Sequence, residues 1–331
     1  MRILITGGSG FIGTTLVDKL ALNGHQIRNL DYVAPKINEQ LEFWKECNIL
    51  DADQVDQAFA NFRPDAVIHL AAKTDTDPSN SLEDYEVNMR GSQNIISAIQ
   101  KHKEIKRVII TSTQFVHQYH DLPEHDEDFA PHTVYGQSKV MMEKMIRNAN
   151  LDCTWTIIRP TNIWGPWHLR YPYEFWKVLS KGLYIHPGRK PVIRSYGYVG
   201  NVVFQINSIL EAPSEKINQQ VFYVGDRSID LYYWVNGFSL KQTGKKVRVV
   251  PRLIVKILAW IGDLLSTLNL KFPITTSRYK SMTNSNTAPM EKTFDAFGTP
   301  PYSLDQGIDE TIQWMKKYHP NLIRKNEEHG L

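Results

Sequence analysis

What the chain lacks bounds it first. Only two cysteines occur in 331 residues, Cys47 and Cys153. They form no disulfide framework and no metal-ligand spacing. Cys153 lies in the apolar run "CTWTIIRP", where it packs as a small hydrophobe in a reducing compartment. No uncharged apolar run reaches the ~18 residues that signal a membrane span. No signal-peptide pattern opens the chain, since "MRILITGG" goes straight into strand and turn chemistry, so the expected location is cytoplasmic. Nor does one sign of charge dominate: 38 basic residues face 35 acidic ones, net +3. That balance excludes a nucleic-acid binder working mainly through phosphate contacts, but admits a small anionic ligand. Internal repeats and low-complexity blocks are absent as well. With 42% hydrophobic residues, the chain can fill the core of one large or two modest domains.

What is present in the first half is alternation. "RILITGG" reads as a buried strand, followed by a helix from Gly10 to about Asn23 and a second strand, "HQIRNLD". "DADQVDQAFANF" is helical, with Asp51 as N-cap. "DAVIHLAA", "RVIITST" and "CTWTIIRP" are further strands. Between them, "SLEDYEVNMRGSQNIISAIQKH" predicts one long amphipathic helix and "VYGQSKVMMEKMIRNA" another. Such a βαβ rhythm implies right-handed crossovers and an α/β fold: a Rossmann-type doubly wound parallel sheet with helices on both faces. After Gly165-Pro166 the rhythm breaks and aromatics cluster (Trp164, Trp167, Tyr171, Tyr173, Phe175, Trp176). The expected division is residues 1–165 as a dinucleotide-binding domain and 166–331 as a smaller α+β substrate-binding region. In the latter, "TTSRYKSMTNSNTAP" reads as a polar connection and "YSLDQGIDETIQWMKKYH" as a last helix.

Two local patterns carry chemistry. "ITGGSGFIG" sets Gly7, Gly8, Gly10 and Gly13 between the first strand and the first helix. Glycines there permit a tight turn and a close backbone approach to a pyrophosphate, which then faces the helix N-terminus. Asp31 ends the next strand, where a carboxylate accepts hydrogen bonds from an adenosine ribose and repels a 2′-phosphate, favouring NAD over NADP. The second pattern, "TVYGQSK", puts Tyr135 and Lys139 at i and i+4 on one helix face. A nearby ammonium favours the phenolate of a tyrosine. Alone this spacing is common on solvated helices; after a dinucleotide turn and a strand ending at Thr113 it points to hydride transfer.

With these pieces in order the chain resembles the extended short-chain dehydrogenases/reductases, in the NAD-dependent nucleotide-sugar epimerase/dehydratase branch. The matching stretches are "TGGSGFIG", Asp31, "DAVIHLAA", "EVNMRGSQNII", "TST", "YGQSK" and "RPTNIWGP", with looser echoes to the end of the chain. The resemblance implies roles position by position. Gly7, Gly10 and Gly13 would line the pyrophosphate, with Phe11 and Ile12 starting the helix. Asp31 would hold the ribose, Asn48 and Ile49 would lie by the adenine, and Leu70, Ala71 and Ala72 would form a wall under the cofactor. Thr113 would hydrogen-bond the reacting sugar oxygen, Tyr135 would be base or acid, and Lys139 its electrostatic partner. Gln114, Asn162, Arg194 and Arg278 would meet a nucleotide-diphosphate sugar, the two arginines at its diphosphate. The resemblance also implies a homodimer pairing the helices near residues 82–102 and 134–149. Three departures stand out: Asn48 and Asn201 replace the usual aspartates, and "VHQ" at Val116 to Gln118 replaces "VYG".

Dehydratases of this family carry Asp and Glu directly after the catalytic threonine, for general acid–base work. Here those positions hold Gln114 and Phe115, which have no proton to exchange. The cysteine of a 3,5-epimerase/reductase would stand where Thr113 does. What remains is hydride chemistry at one carbinol carbon: C4 epimerisation, or keto-sugar reduction in one direction. Competing readings are a hydroxysteroid dehydrogenase-like alcohol oxidoreductase and a non-catalytic dinucleotide-binding regulator, although the latter would be expected to have lost Thr113, Tyr135 or Lys139.

The remaining features have plainer readings. His117, His120, His125 and His132 crowd one loop, but their spacings fit no standard metal site and no metal is expected; His117 is the one expected to reach the pocket. Trp164 and Trp167 are expected to pack the domain junction rather than stack on a base. "LIVKILAWIGDLLSTLNL" places apolar residues at helical spacing, interrupted by Lys256 and Asp263. It reads as a helix packed on the fold, with a membrane-surface or lid helix as the alternative.

Overall fold

The computed structural model describes the chain apart from residues 119–122, 169–174, 269, 271 and 324–331. In chain order the elements begin with β1 (Arg2–Thr6), α1 (Phe11–Leu22), β2 (Gln26–Asp31), β3 (Trp44–Glu46), α2 (Ala52–Phe62) and β4 (Ala66–His69). Next come α3 (Ser92–Lys101), β5 (Arg107–Thr111), α4 (Val134–Asn148), β6 (Thr154–Pro160), β7 (Asn162–Trp164), α5 (Lys177–Ser180), β8 (Ile185–Pro187), β9 (Ile193–Arg194) and β10 (Tyr196–Tyr198). Then follow α6 (Val199–Glu211), α7 (Ser214–Ile217), β11 (Gln220–Val224), β12 (Ile229–Asp230), α8 (Leu231–Thr243) and β13 (Arg248–Val250). The last are α9 (Arg252–Thr267), α10 (Thr276–Thr283), α11 (Glu291–Phe297) and α12 (Leu304–Tyr318).

Seven parallel strands form the main sheet in the order β11-β6-β5-β4-β1-β2-β3. This is the doubly wound α/β sheet expected from the alternation, and the order reverses between β1 and β4. Alternate residues of the strands serve the two faces. Leu4, Val67, Val108, Ile110 and Ile157 share one fully buried cluster with Phe59, Ile95, Ile96, Met142 and Ile146 from α2, α3 and α4. Ile3, Ile5, Ile68, Ile109 and Ile158, also buried, point to the opposite face. Each such side chain contributes about 1.5–3 kcal/mol through burial.

The chain divides into two compact units. The first comprises Met1–Ile163, Gly197–Asp226 and Ala288–Pro301; the second comprises Trp164–Tyr196, Arg227–Thr287 and Tyr302–Leu331. "QVFYVG", read from sequence as part of the later region, supplies β11 at the edge of the main sheet. In the second unit, α8 packs against α12 and α5, and Trp164, Trp176, Trp234 and Phe238 meet mostly at steep angles in an aromatic cluster. Trp167 packs on Trp314 and Tyr318. Both tryptophans that could have stacked on a base are thus packed among protein rings. Tyr171 and Tyr173 lie outside the described residues.

Three local expectations are corrected. The long helix expected across residues 81–102 is broken: a 3-10 turn (Glu83–Tyr85) and a wide π turn (Val87–Gly91) precede α3. The break lets Asn88 turn inward, where its amide clasps both backbone groups of Lys73 and donates to Ser138 Oγ at 2.9 Å. The strand expected to run to Thr113 ends at Thr111, because Thr113 caps a short turn, Gln114–Val116. The polar connection at 275–289 contains a helix, α10, capped by Thr275 on the backbone N–H of Arg278. Asp51 does cap α2, accepting from the N–H groups of Asp53 and Gln54. No helix among the described residues is long and apolar enough to cross a membrane.

Asn201, where the family usually has aspartate, has a local reason. Its amide donates to the carboxylate of Asp226 at 2.7 Å, and the Tyr198 N–H donates to the same group. Burial raises the Asp226 pKa to about 6 even against those hydrogen bonds. A second carboxylate there would face the first at hydrogen-bond distance. Because the folded pKa of Asp226 lies above its ordinary value, its protonation favours the fold at acid pH, and this contribution is lost as pH rises through about 6. Asn201→Asp is therefore expected to destabilise the fold by about 2–3 kcal/mol at pH 8 and clearly less at pH 5. Thermal unfolding at the two pH values checks this, and an equal loss at both would remove the explanation.

Candidate active site

The glycine turn lies where the strand order reverses. Gly7 adopts φ +76°, and a Cβ added there would stand 2.6 Å from Ala71 N. The turn thus presses onto Leu70 and Ala71 at the end of β4, and Ala72 follows them. Gly13 approaches from the other side, its imaginary Cβ 2.4 Å from Gly7 O. The N-cap of α1 is Gly10, which has no side chain to make a capping hydrogen bond. Asp31 accepts from the N–H groups of Ser9 and Val33, both at 3.1 Å. Burial pushes its carboxyl above the usual range, offset in part by those N–H groups and by the charge of Lys36. A close glycine cradle, a helix that starts at a glycine and a carboxylate at the second strand fit a dinucleotide. Asn48 and Ile49 follow β3. Asn48 Oδ1 accepts the Leu50 N–H, and buried Ile49 packs toward Gly91.

The proposed catalytic residues come from the turn after β5 and from α4. Thr133 caps α4 on the Gly136 N–H, so Tyr135 and Lys139 stand in its first turns. Tyr135 is 6% exposed, its ring walled by Tyr85 and Phe115 with centroids 6.2 and 6.3 Å away. Lys139 is fully buried and its ammonium donates to the Thr111 carbonyl at 2.8 Å. Burial pulls its pKa down to about 8, and the Glu143 carboxylate resists that shift. Thr113 accepts the Phe115 N–H. Gly136 is what lets these segments meet: a Cβ there would stand 2.3 Å from Phe115 O. The fold therefore brings Thr113, Tyr135 and Lys139 to one place.

Several buried polar atoms beside them have no protein partner. They are Thr111 Oγ1, Ser112 Oγ, both amide atoms of Gln114, and Thr161 Oγ1, all at or just past the C-terminal ends of β5 and β6. Buried orphan groups are uncommon and costly, and ligands of open α/β sheets bind outside these strand ends. Of the proposed substrate contacts, Asn162 opens β7 just beyond β6 and is half-buried. Arg194 and Arg278 belong to the second unit. Arg194 donates to the Ser281 carbonyl and keeps a buried Nε without a partner, whereas exposed Arg278 donates to the Pro273 carbonyl at 2.7 Å.

His117 does not serve the pocket. Its Nδ1–H donates to the Asp128 carbonyl at 2.6 Å and its Nε2 accepts from Arg159 at 2.8 Å. Burial and the adjacent guanidinium lower its pKa, so it stays neutral. His132 stacks edge-on against Phe115, and His120 lies outside the described residues. His117 instead belongs to a network that sequence reading missed. Arg159, fully buried, donates to both oxygens of fully buried Glu143 at 2.9 and 2.8 Å and to Tyr223 Oη at 3.2 Å. Burial alone would depress the guanidinium pKa; the bonds to Glu143 and its charge outweigh that and raise it.

A doubly wound sheet, a glycine turn at its reversal point, and a Thr–Tyr–Lys set on the turn after β5 and on α4 define a dinucleotide-dependent enzyme of the short-chain dehydrogenase/reductase type. The family model of the NAD dependent epimerase/dehydratase family matches residues 3–225, and the chain belongs to that family. It is an NAD-dependent enzyme. The N-acetyl-alpha-D-glucosaminyl-diphospho-ditrans,octacis-undecaprenol 4-epimerase of Escherichia coli O157:H7 is 28% identical over 95% of each chain. A 3-beta-hydroxysteroid dehydrogenase of Mycolicibacterium neoaurum is 27% identical over 68% of this chain and 65% of its own. Among solved structures, UDP-glucuronic acid 4-epimerase from Bacillus cereus, in complex with UDP-glucuronic acid and NAD, superimposes with TM-score 0.71 at 19% identity, covering 96% of this chain and 99% of that one.

If the Arg159–Glu143 pair fixes how α4 sits on the sheet, Glu143→Gln should cost about 3–5 kcal/mol, because it leaves the guanidinium buried without its counter-charge. The double variant Arg159→Met with Glu143→Met should recover most of the stability yet turn over more slowly, as α4 loses its fixed register. Denaturant unfolding and turnover measured on both variants check this; a double variant with full activity would show that the pair does not set the site.

Proposed function

We propose that the chain is a C4 epimerase of sugars carried on a diphosphate, the carrier being a nucleoside diphosphate. The carrying observation is the pair Gln114 and Phe115 directly after Thr113. Phe115 walls the Tyr135 ring and Gln114 holds a buried, unpartnered amide. Neither side chain exchanges a proton, so elimination of water has no acid and base here. What the residues support is removal and return of one proton and one hydride at a single carbon.

NAD, when bound at the glycine turn, supplies the hydride acceptor and donor. Tyr135 withdraws the C4 hydroxyl proton, and the carbinol becomes a ketone as the C4 hydride leaves. Lys139 holds positive charge beside the phenolate, which stabilises it. Thr113 hydrogen-bonds the same oxygen and keeps it in line with Tyr135. After the sugar turns over, Tyr135 returns the proton to the oxygen as the hydride adds to the opposite face, so no net redox change remains. The orphan amide of Gln114 hydrogen-bonds a neighbouring sugar hydroxyl. Asn162, Arg194 and Arg278 serve the diphosphate, and Asp31 the adenosine ribose, with Asn48 and Ile49 by the adenine. As a homodimer the chain would pair α3 and α4 with those of a second copy. Unpaired thiols at Cys47 and Cys153 accord with work in the cytoplasm.

A second reading keeps the reaction and changes the carrier. The Escherichia coli relative, matched over 95% of both chains, is named for a sugar on undecaprenyl diphosphate. Both carriers present a diphosphate to the same arginines.

Product analysis with NAD on a panel of UDP-, GDP-, CDP- and dTDP-sugars and polyprenyl-diphosphate sugars tests the assignment. C4 epimers without net NADH change support it; stoichiometric NADH consumption would make the enzyme a reductase instead. Tyr135→Phe should lower turnover by at least about 100-fold while NAD still binds; undiminished activity in that variant would sink the mechanism. Asp31→Ala should narrow the preference for NAD over NADP, and an unchanged ratio would take the ribose role from Asp31.

A further inference from the structure

Helix α9 shows an unusual surface. Leu253, Ile254, Ile257, Trp260, Ile261, Leu264 and Leu268 are all between 43% and 68% exposed. At roughly 100° per residue they fall within an arc of about 120°, and no charged residue lies inside that arc. The residues that α9 buries are small: Val255, Ala259 and Gly262. Gly262 lies against Phe272 and the Ile274 carbonyl, so this inner side is the one that packs on the second unit. These seven large apolar side chains are therefore turned away from the unit that carries them, while Leu258 and Leu265 are half-buried.

Charge in the sequence flanking α9 is one-sided. Residues 245–280 contain eight basic residues (Lys245, Lys246, Arg248, Arg252, Lys256, Lys271, Arg278, Lys280) and one acidic residue, Asp263, a net of +7. The rest of the chain carries 30 basic against 34 acidic residues, a net of −4. The near-neutral total thus hides a strongly cationic segment. Asp263 is engaged within the segment, accepting the Thr276 N–H at 3.0 Å. Lys256 lies just beside the apolar arc, with its ammonium 5.2 Å from the Trp260 ring centroid. That distance is within cation–π range, so the cation stands against the edge of the apolar face.

We propose that α9 docks in the plane of an anionic lipid bilayer, its Leu/Ile/Trp face in the acyl boundary and the basic residues that flank it in sequence drawing it to the headgroup phosphates. The 16 residues of α9 rise about 24 Å, short of the ~30 Å hydrocarbon core, and its inner side is committed to the fold, so the helix lies on the membrane rather than across it. Basic side chains near an anionic surface each add attraction that falls off within a Debye length, so the docking is salt-sensitive. A docked α9 would hold the enzyme at the surface where a sugar diphosphate on a lipid carrier is presented. The docking itself stands on α9 and its charges, and is read without turnover.

The test is co-sedimentation of the full chain with vesicles of phosphatidylcholine alone and of phosphatidylcholine with roughly a third phosphatidylglycerol. The unaltered chain should pellet with the anionic vesicles, weakly with the neutral ones, and less as salt rises from about 0.1 M to 1 M. Ile257→Glu with Leu264→Glu should lower binding by more than about tenfold while NAD binding and the circular dichroism spectrum persist. Lys245→Ala with Lys246→Ala should weaken binding to anionic vesicles only. Sedimentation velocity on the same proteins covers the other occupant. If the chain ignores both vesicles and the double glutamate variant breaks a dimer, the face belongs to a second copy and the proposal fails. Vesicle binding unaltered in the double glutamate variant would also overturn it.

Discussion

Arg159 and Glu143 are both fully buried, and the two hydrogen bonds between them tie β6 to α4. Lys139 stands one turn before Glu143 on that helix, and Tyr135 one turn before Lys139. The same guanidinium reaches His117, four residues after Thr113, and Tyr223 on β11. One cation therefore sets the rotation of the helix bearing Tyr135 and Lys139, and also the path of the segment leaving Thr113. A pair of apolar side chains could hold α4 to the sheet as strongly, since desolvation consumes much of what a buried ion pair gains. It would not single out one rotation. The pair's value lies in register, and chemistry proposed at a single carbon would need that register.

How much of this was legible follows from the range of each interaction. β1, the glycine turn, α1 and Asp31 are consecutive, and their periodicity and turn chemistry are local, so the cofactor half could be read directly. Tyr135 and Lys139 carried a spacing that acquires meaning only after that turn. Gly136 was visible as a letter but not as a contact: its need appears only when the Phe115 carbonyl is found 2.3 Å from where a Cβ would be. Arg159 and Glu143 are 16 residues apart on different elements, and no periodic pattern couples them. The break before α3 was hidden for a similar reason. Residues 81–102 have helical periodicity, but Asn88 finds better partners in the Lys73 backbone and Ser138 than a continuous helix would offer it. β11 resembled any short strand, and its place beside β6 is a property of the assembled sheet.

Helix α9 shows a different limit. Apolar residues at helical spacing give the same sequence signal whether they face a core or a membrane, and the packed reading was the default. The distinguishing information lay in residue size by face. Ala259 and Gly262 occupy the side that meets protein, where the chain near Ile274 crosses closely, while leucine, isoleucine and tryptophan occupy the other. A helix built to fill a core would place its volume inward. The concentration of eight cations in the same 36-residue stretch was equally visible and was lost in the whole-chain total.

The site also explains why this protein keeps groups that stability alone would remove. Leaving both amide atoms of Gln114, Ser112 Oγ and Thr161 Oγ1 buried without partners costs about 1–3 kcal/mol for each unsatisfied group. Burying the Lys139 ammonium adds to that cost, which shows as a pKa drawn down to about 8. An apolar residue at position 114 would remove its share, and an aspartate there would bring acid chemistry. Glutamine does neither: it keeps hydrogen-bonding capacity without a proton to give. Phe115 closes the same corner with a ring against Tyr135. The cost is borne at the strand ends, where ligands of open α/β sheets bind, so the residues that lower stability are those that would recognise a polyhydroxylated substrate and confine its chemistry to one carbon.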